Sequence, residues 1–99
     1  MIKKSYSKSG RACRVTFRLP QEEVTGEKVA LLGDFNEWSP EEHTLVRRKN
    51  GTFSITLSVD AEQEYRFRYL VDESQWLDDP EADRAVPNRF GGTDGLLVV

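Results

Sequence analysis

The chain has 99 residues, 37% hydrophobic and 31% charged, with a formal net charge of -3. This is the composition of one globular domain with a single core, not of a disordered chain. It excludes the basic excess expected of a nucleic-acid binder, and no apolar run approaches the ~20 residues that cross a bilayer.

Residues 1–11 are polar and basic without the apolar stretch of a secretory leader. They read as a flexible N-terminal segment ahead of one domain over residues 12–99. Cys13 is the single cysteine, which rules out an intrachain disulfide and fits a buried thiol in a reducing, cytoplasmic setting. Cys13, Val15, Phe17 and Leu19 alternate with Arg14, Thr16 and Arg18. That is the period of a strand with one wet face, and Pro20 ends it. Residues 28–32 form a second strand, apolar on both faces and therefore central. It runs into Gly33-Asp34-Phe35-Asn36-Glu37-Trp38-Ser39-Pro40, a loop of turn formers that carries two aromatics.

Residues 44–49 and 52–59 flank Asn50-Gly51, the pattern of a tight hairpin in which both turn residues take positive φ. Phe53, Ile55, Leu57 and Val59, then Tyr65, Phe67, Tyr69 and Val71, alternate with more polar neighbours and give two further half-wet strands. Gln75-Trp76-Leu77 returns after Asp72-Glu73-Ser74. Residues 78–95 read as one long loop, acidic at first and punctuated by Pro80, Pro87, Gly91, Gly92 and Gly95, and residues 96–99 close as a strand. About seven short strands with turns between them, and no sustained helical period, make the chain all-β. The architecture expected is an antiparallel, immunoglobulin-like β-sandwich.

Catalytic chemistry has few candidates. His43 is the only histidine and reads as a solvated loop residue, since no Ser-His-Asp or Cys-His set stands at recognisable spacing. Asp78, Asp79, Glu81 and Asp83 form an acidic cluster, but the spacing of a calcium loop is absent and Pro80 stiffens its middle, so a solvated acidic loop is expected. The late glycines follow no strand-to-helix pattern and make no phosphate loop. The sequence therefore implies no enzyme, no metal and no cofactor.

Aromatic and basic residues are what remain. A lone tryptophan is read first as packing, because tryptophan is highly buried on average. For Trp76 the hairpin decides. A three-residue turn at residues 72–74 pairs Leu70 with Trp76 and puts both on the outer face beside Arg66 and Arg68; a two-residue turn sends Trp76 inward. An outward Trp76 makes an apolar spot on an arginine-bearing face, the look of a small binding patch. Phe35 is the better candidate for anchoring the loop at residues 33–40 to the core, which leaves Trp38 outside.

Gly33-Asp34-Phe35-Asn36-Glu37-Trp38-Ser39, Asn50-Gly51-Thr52-Phe53 and the run from Glu64 to Asp72 followed by Gln75-Trp76 resemble carbohydrate-binding module family 48. That family includes the glycogen-binding domain of the AMP-activated kinase β subunit and the early-set N-terminal domains of isoamylases and glucan branching enzymes. The short chain is similar to stand-alone bacterial forms. The resemblance implies an early-set sandwich that binds glycogen or related α-1,4-glucan without catalysis. By the same resemblance Trp38 and Trp76 flank the sugar. Arg68 stands where the glycogen-binding members have a lysine, a change from point charge to planar fork. In the loop before the last strand, Phe90 takes the place of an apolar contact residue, Gly92 that of a threonine and Asp94 that of the first asparagine.

The carbohydrate-binding residues expected are thus Trp38, Arg68, Trp76, Phe90 and Asp94. The partners expected are an α-glucan oligosaccharide or polysaccharide and a glycogen-metabolising enzyme, with no nucleic acid and no membrane. Two other readings of the same fold are a protein-interaction or regulatory module and an accessory domain of an amylolytic (glycoside hydrolase family 13) enzyme.

Overall fold

The alternation after residue 12 is realised in full: in the computed structural model Cys13, Val15, Phe17 and Leu19 are wholly buried, with Arg14, Thr16 and Arg18 on the opposite face. The structure describes residues 2–24, 26–89 and 91–99. Among these, nine strands follow one another: β1 (Ile2–Tyr6), β2 (Ala12–Leu19), β3 (Val29–Gly33), β4 (Val46–Arg47), β5 (Phe53–Asp60), β6 (Glu64–Val71), β7 (Gln75–Leu77), β8 (Arg84–Pro87) and β9 (Thr93–Val98). Single 3-10 turns occupy Gln21–Glu23 and Asp34–Asn36, and no helix among the described residues is long and apolar enough to cross a membrane.

All pairings are antiparallel. One sheet has the order β1-β2-β5-β4, the other β3-β6-β9-β8, with β7 also paired to β6. This is an immunoglobulin-like β-sandwich. Its core joins Phe17 and Phe53 of one sheet to Leu31, Phe67, Tyr69 and Leu97 of the other, all but fully buried. Phe17 and Phe67 meet edge to face at 5.3 Å, the favoured geometry for aromatic pairs. Strand β3 is buried on both faces, as its continuous apolar run implies.

Three expectations need correcting. Residues 2–6 do not form a flexible leader: β1 pairs with β2 from Ile2↔Phe17 to Tyr6↔Cys13. Ile2 packs against the core, and Lys4, on the same inner side, reaches across the sandwich edge to Asp83 at 2.8 Å. The Asn50-Gly51 turn is not a two-residue loop. Gly51 N–H donates to the Arg48 carbonyl at 2.9 Å and Arg48 N–H to the Thr52 carbonyl at 2.7 Å, with only Gly51 at positive φ. The result is a three-residue loop whose last residue takes the left-handed conformation. Residues 78–95 are not one long loop, because β8 forms within them and pairs with β9.

Nor is the acidic stretch simply solvated. Asp79 is 6% exposed; its Oδ2 accepts the Tyr69 hydroxyl at 2.6 Å and its Oδ1 the Glu81 N–H at 2.8 Å. Burial, with the Asp79 charge adding to it, pushes the Tyr69 hydroxyl well above an ordinary phenol, so the donor keeps its proton. Asp83 takes the Val98 N–H at 2.8 Å as well as Lys4.

One side of the sandwich is closed by a segment that changes sheet. Leu31 N–H donates to the His43 carbonyl at 2.9 Å and Leu45 N–H to the Val29 carbonyl at 2.8 Å, before Val46 and Arg47 join β5. The other side is closed by Lys4 and Asp83. Burial alone would raise the Asp83 carboxyl, but the Lys4 ammonium and the Val98 N–H outweigh it and hold it below an ordinary aspartate. Lys4→Met, which keeps the stem and removes the charge, is expected to cost up to about 1 kcal/mol at neutral pH, the range for a partly exposed pair. Because the folded-state pKa lies below the unfolded one, this stabilisation is present above about pH 4 and fades as pH falls through the folded value. Urea unfolding of both proteins at pH 7 and pH 3 checks it: the gap should narrow in acid, whereas an equal gap would assign the effect to stem packing.

Candidate functional site

The outer face of the second sheet is set by β6. Phe67, Tyr69 and Val71 point into the core, so Arg66, Arg68 and Leu70 stand on the opposite face. The turn after β6 has three residues, with Asp72 and Glu73 both in the left-handed region and the Ser74 N–H donating to the Val71 carbonyl at 3.1 Å. Leu70 therefore pairs with Trp76, and Trp76 lies outward, 45% exposed.

Arg68 sits at a junction. Toward its N-terminus β6 pairs with β9 as far as Phe67↔Gly95; toward its C-terminus it pairs with β7 from Tyr69↔Leu77. Asp78, just past β7, closes the gap between the two partners: its Oδ1 accepts Arg68 Nε at 2.7 Å and its Oδ2 accepts the Thr93 hydroxyl at 2.8 Å. The Arg68 guanidinium then lies over the Trp76 ring, 5.1 Å from its centroid, in cation–π contact.

Trp38 is carried by the turn after β3. Asn36 is buried and uses three bonds: its Oδ1 accepts the Gly33 N–H at 3.0 Å, and its amide donates to the Leu31 carbonyl at 2.8 Å and to His43 Nδ1 at 2.9 Å. With both amide hydrogens spent, His43 Nδ1 acts as acceptor, so His43 braces the turn rather than standing free in solvent. Phe35 anchors the turn, packed on Phe17 at 6.0 Å and Tyr65 at 5.8 Å. Trp38 is half-buried at φ 60°, and its indole N–H donates to Asp34 Oδ1 at 3.0 Å. Asp34 Oδ2 accepts the Arg66 N–H at 2.9 Å, which ties the tryptophan to the backbone of β6.

The third wall comes from the β8–β9 hairpin. Asn88 N–H donates to the Gly92 carbonyl at 3.0 Å, its side-chain oxygen accepts the Gly92 N–H at 3.1 Å, and its amide donates to Asp94 Oδ1 at 3.1 Å. Arg66 Nη1 donates to the Pro87 carbonyl at 3.2 Å and lies 3.6 Å from Asp94 Oδ2. Together Trp38, Arg66, Arg68, Trp76, Pro87, Asn88, Arg89, Gly92 and Asp94 line one open groove of about 1040 Å³. Its Arg66 and Arg68 are each matched to a carboxylate.

The profile of carbohydrate-binding module 48, described as the isoamylase N-terminal domain, matches residues 13–86. This chain belongs to that family. No curated protein matches it. The family is a carbohydrate-binding one, and among the described residues no group of three or more His, Cys, Asp or Glu side chains converges on a metal position. In this family 48 module the matched span holds Trp38, Arg68 and Trp76 and ends just before Pro87, so the hairpin wall lies outside it.

Four of the five residues expected to meet sugar line this groove: Trp38, Arg68, Trp76 and Asp94. Phe90 lies outside the described residues. Asp94 is only 7% exposed, and its carboxylate is turned to Asn88 and Arg66. Arg66, Pro87, Asn88 and Arg89 were not among the expected site residues. Alternation in β6 already put Arg66 on this face; for Pro87, Asn88 and Arg89 the signal was weak, because Asn88 and the Gly91-Gly92 pair mark a hairpin turn but only pairing with β9 makes β8 a strand.

Asp34 is the residue whose loss should release Trp38 alone. In Asp34→Asn one oxygen must serve two donors, and the amide group faces the other N–H. Stability is expected to fall by about 1 kcal/mol, a value for losing one such bond at a partly exposed site. The Trp38 indole N–H should exchange with solvent several-fold faster while that of Trp76 is unchanged. Proton NMR of the two indole signals checks this; equal acceleration of both would show that the turn as a whole had loosened.

Proposed function

We propose that this module binds α-1,4-linked glucan, glycogen or a related polysaccharide, without catalysis, by stacking sugar rings on Trp38 and Trp76. The observation that carries the reading is that both tryptophans line one groove on the outer face of a sheet, Trp76 with nearly half its surface open. A flat aromatic face covers the C–H face of a pyranose, and a rigid indole loses little side-chain entropy on binding. Hydroxyls then need donors and acceptors around the rings, which Arg66, Arg68 and Asn88 supply. The internal matching of Arg66 to Asp94 and Arg68 to Asp78 favours a neutral polyol over a charged ligand. At about 1040 Å³ the groove stands at the upper end of the ~300–1,000 Å³ range of ligand clefts. Membership of a family described by the isoamylase N-terminal domain supports α-glucan as the polymer.

If each ring contributes ~1–3 kcal/mol, as aromatic stacking does elsewhere, two rings less the association cost give dissociation constants of about micromolar to millimolar. Calorimetric titration with maltoheptaose and retention on immobilised glycogen test the reading. Trp76→Ala and Trp38→Ala are each expected to weaken binding about tenfold or more, the equivalent of ~1.4 kcal/mol. Absence of binding by the native chain, or equal binding by native chain and both variants, would overturn it.

A further inference from the structure

The turn that carries Trp38 is clamped by Asn36. Its Oδ1 accepts the Gly33 N–H at 3.0 Å, its backbone carbonyl accepts the Ser39 N–H at 3.1 Å, and the Gly33 carbonyl in turn accepts the Trp38 N–H at 3.0 Å. Between these bonds Glu37 and Trp38 both stand in the left-handed region, at φ 56° and 60°. Side chains of that size hold such a conformation only while their surroundings over-determine it, so the turn is sensitive to the loss of a single bond.

His43 supplies one bond of the clamp from outside the turn. Two partners fix the sense of the Asn36 amide: turned over, it would set nitrogen against the Gly33 N–H and oxygen against the Leu31 carbonyl. Its remaining hydrogen therefore points to His43 Nδ1, 2.9 Å away, and that nitrogen must accept. The backbone beneath the imidazole is fixed as well. The His43 carbonyl accepts the Leu31 N–H at 2.9 Å, Thr44 bridges Ala30, and the ring itself lies edge to face with Phe35 at 6.4 Å. A neutral imidazole has one accepting nitrogen and an imidazolium has none. A proton on Nδ1 would set two donors against each other and leave a buried amide hydrogen without its acceptor, a cost that falls on the folded turn alone.

The charged groups around the ring do not offset that cost. On its own segment Glu41 and Glu42 are exposed; on the facing turn Glu37 is exposed, and Asp34 is bonded to the Trp38 indole and the Arg66 N–H. Strand β3 is apolar throughout. Tyr65, beyond Phe35 on β6, keeps its proton because burial raises its hydroxyl. Among the described residues no carboxylate stands within ion-pair reach of the imidazole.

We propose that His43 is a positioning residue for Trp38, and that its protonation releases the turn and loosens the hold on glucan. The effect on glucan rests on the function proposed above; the release of Trp38 does not. Imidazole is the side chain that ordinarily changes charge between about pH 5 and 8. The Asn36–His43 bond exists only in the neutral form, so the hold on Trp38 is complete at the alkaline end of that range and is lost as pH falls through it.

His43 is the single histidine of the chain, so its ring protons are unmistakable in proton NMR. In a titration of the full chain from pH 8 to pH 3.5 without sugar, the Trp38 indole signal should shift with the midpoint of the His43 ring, while the Trp76 indole stays in place. Calorimetry with maltoheptaose at pH 7.5 and pH 5.5 should show affinity falling about threefold or more in acid, the share of one hydrogen bond. His43→Asn sets an oxygen at the place of Nδ1, an acceptor at every pH, and should flatten both profiles. His43→Leu removes the acceptor and should give the acid-like affinity at pH 7.5 too; should that variant fail to fold, the native chain and His43→Asn still decide. A Trp38 signal indifferent to the His43 midpoint, a Trp76 signal that moves equally with it, or a native profile retained in His43→Asn would overturn the proposal. So would a Trp38 midpoint at about pH 4, where carboxylates ordinarily titrate, by assigning the change to Asp34. If the native chain binds no maltoheptaose at pH 7.5, the glucan reading falls and the two indole signals alone decide the role of His43.

Discussion

The register of β6 is the constraint on which fold and groove both depend. Phe67, Tyr69 and Val71 are buried to within 3%. Each such side chain contributes about 1.5–3 kcal/mol on leaving water, and together they approach the ~5–15 kcal/mol by which a domain is stable at all. A slip of one residue would expose all three and bury Arg66 and Arg68 instead. The strand is held on both edges, by β3 on one and by β9 and then β7 on the other. The demand that the aromatics go inward is therefore what turns the arginines and, through the Leu70↔Trp76 pair, the tryptophan outward. The groove face needs no separate instruction from the sequence.

What could be read beforehand divides along the same line. Period-two alternation is local, so β2, β5 and β6 and the sandwich they imply were legible, whereas the side taken by Trp76 waited on the length of the turn before it. Elements that depend on a distant partner were not legible. In β1 the inner positions are Ile2, Lys4 and Tyr6, and a lysine among them hides the pattern; it makes sense only beside Asp83, on the far edge of the other sheet. Strand β8 has no pattern of its own and exists because β9 pairs with it. Asp79 and His43 looked like solvated loop residues because their partners, Tyr69 and Asn36, are identified by hydrogen bonds rather than by periodicity. The same blindness hid the hairpin wall of the groove, while the two tryptophans and Arg68 could be picked out by type and by resemblance.

The arginines of the groove act less as charges than as scaffolding. Asp78 takes Arg68 Nε and the Thr93 hydroxyl together, so it joins β7 to β9 at the point where β6 changes partner. With one ring face of Trp76 under the guanidinium, the indole is steadied. A ring already fixed loses less freedom on binding, which is the kind of preorganisation that the proposed stacking reading calls for.

Trp38 shows how the backbone itself separates packing from binding. In a continuing 3-10 turn, residues three apart eclipse one another. Trp38 would then follow Phe35 into the core, and the loop would contribute packing and nothing else. Instead Glu37 and Trp38 take φ of 56° and 60°, a left-handed pair that reverses the chain. That conformation costs a side-chain-bearing residue roughly 1–2 kcal/mol, more for a bulky ring than for glycine. It is offset locally: Trp38 N–H donates to the Gly33 carbonyl at 3.0 Å, the indole N–H to Asp34 at 3.0 Å, and Phe35 remains packed in the core. A large aromatic is thus held half in water by bonds that would be idle if it were buried. Strain of this kind persists only where its surroundings over-determine it. Here the surroundings that do so are Asp34 and the backbone of Arg66, and Arg66 lines the same groove as Trp38.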